Sequence, residues 1–468
     1  MNDDARHLVL PELRRWRLAP DAWRLAGRVT PGRLERYLRY RSAKGLPQSM
    51  KARFRAMRIP EQTINEVLGG IRSLANWMDG WNLAAQRFLS EARGEERSGR
   101  WQEAAIARIN AAMCFHVAHL VTDTDPRTLR TLRASCVTTF AQAVPRLMPE
   151  VRKISLPWRT RTLPAYVATP TAGSGPYPLL VLLNGATSCK EELLLWAMPL
   201  LDDGVAVMTV DWPGTGESAS FTSPLADCDD MTDGIFGFVA DHPDLDPEMV
   251  AFGGFSLGGA VAIRCAAYDR RLLGAMAVTP PYDPLMWWPY VNPLVRLQLM
   301  TLAVDNDSAE DVIAEFGLVD LVPRLRIPLL VFGAGRDMVV PAEESIALAS
   351  AAGDLATLVW YPEGGHGLYG ELDDWISLAG EWVNGLAGRG DIRASDQKAP
   401  EQRPEAMPIE RQPPEAATPR ARVQVPEAAP RSTRVDDEVA ARRPAQATIS
   451  RKSTDEEANQ FDDDFWDE

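Results

Sequence analysis

A chain of 468 residues, 46% hydrophobic and 24% charged, has the composition of an ordinary globular protein, with room for two or three domains and a large core. Its formal net charge of −14 argues against the chain as a whole being a nucleic-acid binder. No apolar run approaches the roughly 20 residues of a membrane span, and no apolar h-region follows the acidic Met1-Asn2-Asp3-Asp4 to make a secretory signal.

The charge is uneven. Residues 1–60 hold fifteen Lys and Arg against five Asp and Glu. Arg33, Arg36, Arg39 and Arg41 recur at helical spacing beside Leu34 and Leu38. This reads as the solvated faces of short amphipathic helices. The alternative is a docking surface for an acidic partner, for which the chain's own C-terminal end would qualify. From 61 to 148 the apolar spacing is helical throughout. Ile64, Val67, Leu68 and Ile71 open it, Trp77, Trp81, Ala84 and Phe88 continue it, and segments from Trp101 to Val121 and from Pro126 to Leu147 complete it. Residues 1–148 are therefore expected to form an N-terminal helical domain that could cap the domain after it.

The period changes at Val151. Residues 151–156 and 163–168 alternate as strands do, and continuous apolar strands follow at 178–183, 205–210, 249–253, 274–279, 328–332 and 356–361. Helical segments lie between most of them. The expected class is α/β, a mostly parallel sheet covered on both faces, over residues 149–388. The 280–325 connection is unusually long and carries Trp287 and Trp288. It is either a lid lining a substrate pocket or a helical hairpin packed on the sheet. Residues 389–468, rich in Pro, Ala, Glu and Arg, should be a disordered tail. The acidic, aromatic end Phe461–Glu468 suits a docking motif or simple solubilisation. The five cysteines are scattered with no CxxC pair, which fits reduced thiols in the cytoplasm.

The chemistry is signalled by Gly254-Phe255-Ser256-Leu257-Gly258 between a strand and a helix, the G-x-S-x-G pattern of a nucleophile elbow. Downstream, Asp337 follows the 328–332 strand. His366 follows the last strand and is the only one of the five histidines C-terminal to Ser256. Ser, Asp, His in that order is the α/β-hydrolase triad. The oxyanion hole should combine the Leu257 N–H with one from the loop Asn184-Gly185-Ala186-Thr187. Ala186 is the first choice of donor there and Thr187 the alternative. Ser188 and Glu191 have capping-box spacing, which starts a helix and gives Glu191 a structural role. Lys190 and Glu192 would order the loop, meet substrate, or pair at the surface. The glycine loop after Asp211-Trp212 would shape the cleft. Dinucleotide and P-loop patterns fail, so no cofactor is implied. Cys114, His116 and His119 lie in an apolar helix, which points to packing rather than metal.

These motifs resemble the dihydroxypseudooxynicotine hydrolase family. That family includes the fermentation–respiration switch protein and fungal enzymes that shorten polyketide chains. The elbow, the Asn184–Glu192 loop, Asp211–Glu217 and Gly99–Ala104 at the start of a long helix carry the resemblance, over roughly 60–387. It implies a hydrolase core with an N-terminal helical cap, a pocket between the two, and β-diketones, aryl ketones or bulky esters as substrates. Asn184 stands where a glycine is frequent, and Asp283 is the nearest candidate for an additional acidic pocket residue. The expected function is thus a cytoplasmic serine hydrolase cleaving an ester or a carbon–carbon bond of a β-dicarbonyl or aryl ketone, such as a polyketide or other secondary metabolite. Asn184, Gly185, Thr187, Lys190, Glu192, Trp212, Asp283, Trp287 and Trp288 are its pocket candidates. Acyl transfer or cyclisation at the same site, or a regulatory role through the charged termini, are the rival readings. The partner is a small carbonyl compound. A homodimer and a protein partner for the tail are admitted; nucleic acid and membrane are not.

Overall fold

The computed structural model describes residues 31–46, 48–120, 126–222, 224–291, 295–296 and 309–388. Expectations placed on 1–30, on the middle of the 280–325 insertion and on the 389–468 tail with its Phe461–Glu468 end lie outside the described residues.

The described residues begin with helices. α1 (Pro31–Arg41) buries Leu34 and Leu38 and exposes Arg33, Arg36, Arg39 and Arg41, as an amphipathic helix should. α2 (Gln48–Ala56) and α3 (Glu61–Gly70) are short. α4 (Ala75–Arg97), α5 (Trp101–Ala118) and α6 (Pro126–Leu147) are long, and α5 packs between the other two. Alanines at 104, 105, 107, 111 and 112 let α5 be buried on nearly all sides. Phe54 of α2 lies edge-on to Trp81 of α4, ring centroids 5.2 Å apart, and 6.2 Å from Trp77. This aromatic contact pins the short α2 to the long helices.

Among the described residues the sheet has eight strands. β1 (Val151–Trp158) and β2 (Arg161–Ala168) form an antiparallel hairpin, and β2 runs antiparallel to β4 (Ala206–Val210). β3 (Tyr177–Leu183), β4, β5 (Leu245–Phe255), β6 (Gly274–Val278), β7 (Leu329–Ala334) and β8 (Ala356–Tyr361) are parallel, in the order β1-β2-β4-β3-β5-β6-β7-β8. Parallel strands are covered on both faces, which is why β3 and β4 are buried along their whole length. Alternate side chains enter two cores. Leu180 and Leu182 of β3 join the core shared with the N-terminal helices, α7 (Lys190–Ala197) and α13 (Leu372–Leu386). Leu179, Val181 and Leu183 face the other core, with α8 (Met231–Ala240), α9 (Leu257–Tyr268) and α12 (Ala342–Ala352). The N-terminal helices thus share one apolar core with the sheet.

In the insertion, α10 (Pro284–Trp287) and α11 (Ala309–Ala314) are short. Trp287 and Trp288 are buried in the second core, and the Arg296 guanidinium stacks 4.9 Å from the Trp288 ring. The packing alternative therefore describes these two indoles, and they do not line an open pocket. Both indoles join the core that side chains of α9, α11 and α12 also enter, a placement that the sequence pattern of the insertion alone does not reveal.

Phe54→Ala should cost about 3–5 kcal/mol, the usual loss for emptying an aromatic site in a core. Denaturant unfolding monitored by tryptophan fluorescence will show it as a lowered midpoint with an unchanged slope.

Candidate active site

The order of the strands reverses at β3: β4 lies on one side of it and β5 on the other. In open α/β sheets the crevice at such a switch point, beyond the strands' carboxyl ends, is where ligands sit. Ser256 follows β5 there, at φ 52° and ψ −120°, and leads directly into α9. That backbone is strained for a serine. It persists because the elbow is packed on every side. A Cβ on Gly254 would lie 2.0 Å from Gly258 O, and one on Gly258 would lie 2.3 Å from Leu183 O. Strand and helix can approach this closely only with glycine at both positions.

The loop after β3 comes to the same point. A Cβ placed on Gly185 would be 3.5 Å from Ser256 Cβ. Ala186 and Thr187 are half-buried beside it, as is Ser256. Leu257 begins α9, so its N–H has no partner in the helix. Among the described residues neither the Leu257 N–H nor the Ala186 N–H donates a hydrogen bond within the protein. Two donors with no acceptor among the described residues thus border the serine.

Asp337 lies beyond β7 and is buried. Its Oδ1 accepts the Val339 and Val340 N–H groups at 2.8 and 2.9 Å, and its Oδ2 lies 2.7 Å from His366 Nδ1. The carboxylate is fixed by its own backbone and in turn fixes the imidazole. His366 is half-buried, 6.1 Å from the Phe255 ring. The Gly367 N–H donates to Thr279 Oγ1 at 3.2 Å, which ties the histidine loop to the end of β6. No hydrogen bond joins Ser256 Oγ to His366. Such contacts are commonly long before substrate arrives.

The remaining residues singled out from the sequence fall into other roles. Asn184 is fully buried. Its Nδ2 donates to Gly185 O and Ser188 O at 3.1 and 2.9 Å, its Oδ1 accepts from Thr215 Oγ1 at 3.2 Å, and its carbonyl accepts the Trp212 indole N–H at 2.6 Å. Asn184 and the equally buried Trp212 therefore brace the loop from behind rather than line a pocket. The asparagine amide supplies hydrogen bonds a glycine could not. Asp283 and Tyr282 donate their backbone N–H groups to Glu344 Oε2 at 2.8 and 2.7 Å. No hydrogen bond joins Asp283 to Ser256, Asp337 or His366.

The expected capping box is not formed. α7 begins at Lys190 with Cys189 as its N-cap and no side-chain cap, because Ser188 Oγ instead accepts from Arg53 Nη2 at 3.1 Å. Nor are Lys190 and Glu192 a surface pair. Lys190, Glu191 and Glu192 are all fully buried. Lys190 Nζ sits 2.9 Å from both Asp211 Oδ2 and Glu217 Oε2 and 2.7 Å from Glu191 Oε1. Burial opposes its charge, but these three carboxylates hold its pKa well above the ordinary value. Glu192 accepts from Arg53 Nε and Nη2 at 2.8 and 2.9 Å, and its Oε2 lies 3.0 Å from His116 Nε2. His116 Nδ1 lies 3.1 Å from His119 Nε2. The two histidines are therefore not apolar packing but part of a buried polar chain. Cys136, Cys189 and Glu191 offer ligand atoms within 4.8 Å of one another. The Lys190 ammonium lies 2.7 Å from Glu191 Oε1, and burial pushes the Cys189 thiol well above its ordinary pKa, which makes a poor cation site.

Arg53, His116 and Asp211 carry no sequence signal for this role. Arg53 sits in an arginine-rich helix 139 residues from Glu192. Only an unusual run of three charges at a helix start beside the loop hinted that partners were needed.

Burial works to raise the Glu192 carboxyl, but Arg53 and His116 overcome it and hold it at about 2. Its contribution to stability is present above the ordinary carboxyl value of 4.5 and is lost as pH falls from there through about 2. For His116, burial opposes protonation, and the neighbouring Glu192 carboxylate is the charged group that raises its pKa above the ordinary value, since burial keeps Cys189 a thiol. This contribution is complete below 6.5 and fades as pH rises through the raised value. Glu192→Gln should therefore lower stability at pH 7 by about 3–5 kcal/mol, by stranding two buried cations. It should also flatten the acid limb between pH 4.5 and 2 in urea titrations run at several pH values.

Comparison with known proteins agrees with this architecture. Residues 48–286 match the model of the family described as esterase FrsA-like, and residues 193–386 match that of the prolyl oligopeptidase family. The chain is 27% identical over 220 residues to 2,6-dihydropseudooxynicotine hydrolase of Paenarthrobacter nicotinovorans, covering 47% of this chain and 59% of that one. It is 31% identical over 268 residues to hydrolase pyiE of Pyricularia grisea, covering 49% and 56%. The matches thus span less than two thirds of those relatives. The crystal structure of 2,6-dihydroxy-pseudo-oxynicotine hydrolase superposes with a TM-score of 0.65 and 22% identity, over 73% of this chain and 97% of the other, a likeness of fold. No helix among the described residues is long and apolar enough to cross a membrane. The chain is an α/β-hydrolase and belongs to the FrsA-like esterase family.

Proposed function

We propose that this hydrolase is a serine enzyme that cleaves an ester, or a carbon–carbon bond beside a carbonyl, in a β-dicarbonyl or aryl-ketone compound such as a polyketide. The observation that carries the reading is the Asp337–His366 pair at 2.7 Å in loops that converge on the strained Ser256. In this reading Ser256 Oγ attacks the carbonyl carbon while His366 Nε2 takes its proton. Asp337 keeps the Nδ1 proton in place and stabilises the imidazolium. The tetrahedral oxyanion is met by the unengaged N–H groups of Leu257 and Ala186. Collapse expels an alkoxide, or an enolate carbon, and His366 returns the proton to it. Water then attacks the acyl-enzyme by the same route and releases the acid. The substrate class is supported by the names of the relatives, one a hydrolase of 2,6-dihydropseudooxynicotine.

A fluorophosphonate probe should label the wild type at Ser256 and leave Ser256→Ala unlabelled. Turnover of a panel of esters and diketones should fall by about 10⁴-fold or more in that variant. Asp337→Asn should label slowly and lose about 10⁴ in kcat, because the imidazole then adopts the wrong tautomer. An unlabelled wild type with no activity on either class would refute the proposal.

A further inference from the structure

We propose that Arg53 is a positioning residue for catalysis, through which the N-terminal helices hold the oxyanion loop in its working shape. The inference rests on Ser256 being the nucleophile and Ala186 an oxyanion donor. Arg53 reaches from α2 across to the loop after β3, and its side chain is only 13% exposed. Its guanidinium makes a two-pronged pair with Glu192 through Nε and Nη2. The same fork donates through Nη1 to Thr187 Oγ1 at 3.3 Å, and through Nη2 to Thr187 O at 3.3 Å and Ser188 Oγ at 3.1 Å. Thr187 and Ser188 directly follow Ala186. Arginine's planar fork suits this task because it binds a carboxylate and the adjoining loop at once.

Arg53 also touches the opposite side of the site. Its guanidinium lies 5.6 Å from the Tyr369 ring, which packs 5.5 Å from Phe255, the residue before the serine. One turn earlier on the same helix, Ser49 abuts the histidine loop: a Cβ on Gly365 would lie 2.9 Å from Ser49 Cβ. One helix from outside the sheet thus clamps the oxyanion loop on one side and the histidine loop on the other. A loop of Gly, Ala, Thr and Ser has little apolar surface to hold itself. Asn184 braces the loop from behind through Gly185 O and Ser188 O, but without the fork on the other side the Ala186 N–H would be less well pre-aimed, and preorganised donors are what make an oxyanion hole effective. The helical cap therefore contributes to the chemical step as well as to any substrate pocket.

The test uses the full chain and two readouts. The first is the rate of Ser256 labelling by a fluorophosphonate, together with kcat and KM for p-nitrophenyl acetate, an ester too small to need the cap for binding. The second is hydrogen–deuterium exchange of the peptide 184–192. Arg53→Met should slow labelling and kcat by roughly 10- to 100-fold, the cost of a slightly misplaced site. KM should stay within about twofold, and exchange should rise in 184–192 while the strands stay protected. Arg53→Lys should recover only part of the rate, since an ammonium can hold Glu192 or the loop but not both. Labelling within about twofold of wild type, or unchanged exchange in 184–192, would overturn the proposal. If Arg53→Met fails to fold, Ser188→Ala decides, because it leaves the Glu192 pair intact: slowed labelling supports the clamp and an unchanged rate refutes it. If the wild type itself is not labelled at Ser256, the serine-hydrolase reading fails, and the exchange data alone judge the clamp.

Discussion

Three consecutive charged residues, Lys190, Glu191 and Glu192, are fully buried at the start of α7. That burial constrains much of the structure around the site. A charge removed from water must be paired or it is prohibitively costly. The partners come from elements far apart in sequence: Asp211 and Glu217 from beyond β4, Arg53 from α2 and His116 from α5. Each pairing demands that its element sit in one place. The net stability from such a network is small, because desolvation offsets most of the attraction. Its consequence is geometric: the loop between β3 and α7 is wired both to the sheet and to the helical cap.

The second constraint is steric. Ser256 is held at a positive φ by the close approach of α9 to β5, which Gly254 permits, and to the end of β3, which Gly258 permits. The sheet order puts this strained turn next to the loop after β3, at the switch point where β4 lies on one side of β3 and β5 on the other. Asp337 and His366 reach the same crevice from the ends of β7 and β8. The acid is positioned by its own backbone, the base by the acid, and the histidine loop by Thr279. The electrostatic and steric constraints meet at Gly185–Ser188, which touches the serine on one side and the buried ions on the other.

Most of the fold was legible in the sequence because its signals are local. Period 3.6 marks α1 and α3 to α6, and uninterrupted apolar runs mark β3 to β8 within a residue or two, except β5, which extends from Leu245. The elbow was legible for the same reason, since the glycine pattern is a direct imprint of steric need at one turn. The failures share a different cause. Ser188 and Glu191 have capping spacing, but Arg53 competes for the serine hydroxyl. For Lys190 and Glu192 the sequence leaves loop ordering, substrate contact and a surface pair open, and for Trp287 and Trp288 a pocket wall or packing on the sheet. Burial of these side chains is set by which elements pack over them, and no local pattern encodes that.

By itself, the sequence determined the class of the fold, the order of Ser256, Asp337 and His366, and the loop that would face the serine. These follow from backbone sterics and hydrophobic periodicity, which act over a few residues. Only the tertiary structure decided that Asn184 and Trp212 brace the loop, that His116 and His119 join an ion network, and that Arg53 clasps the cap to the site. Those outcomes depend on desolvation and on partners more than a hundred residues away for Arg53, and they exist only once the sheet and the helices have closed on each other.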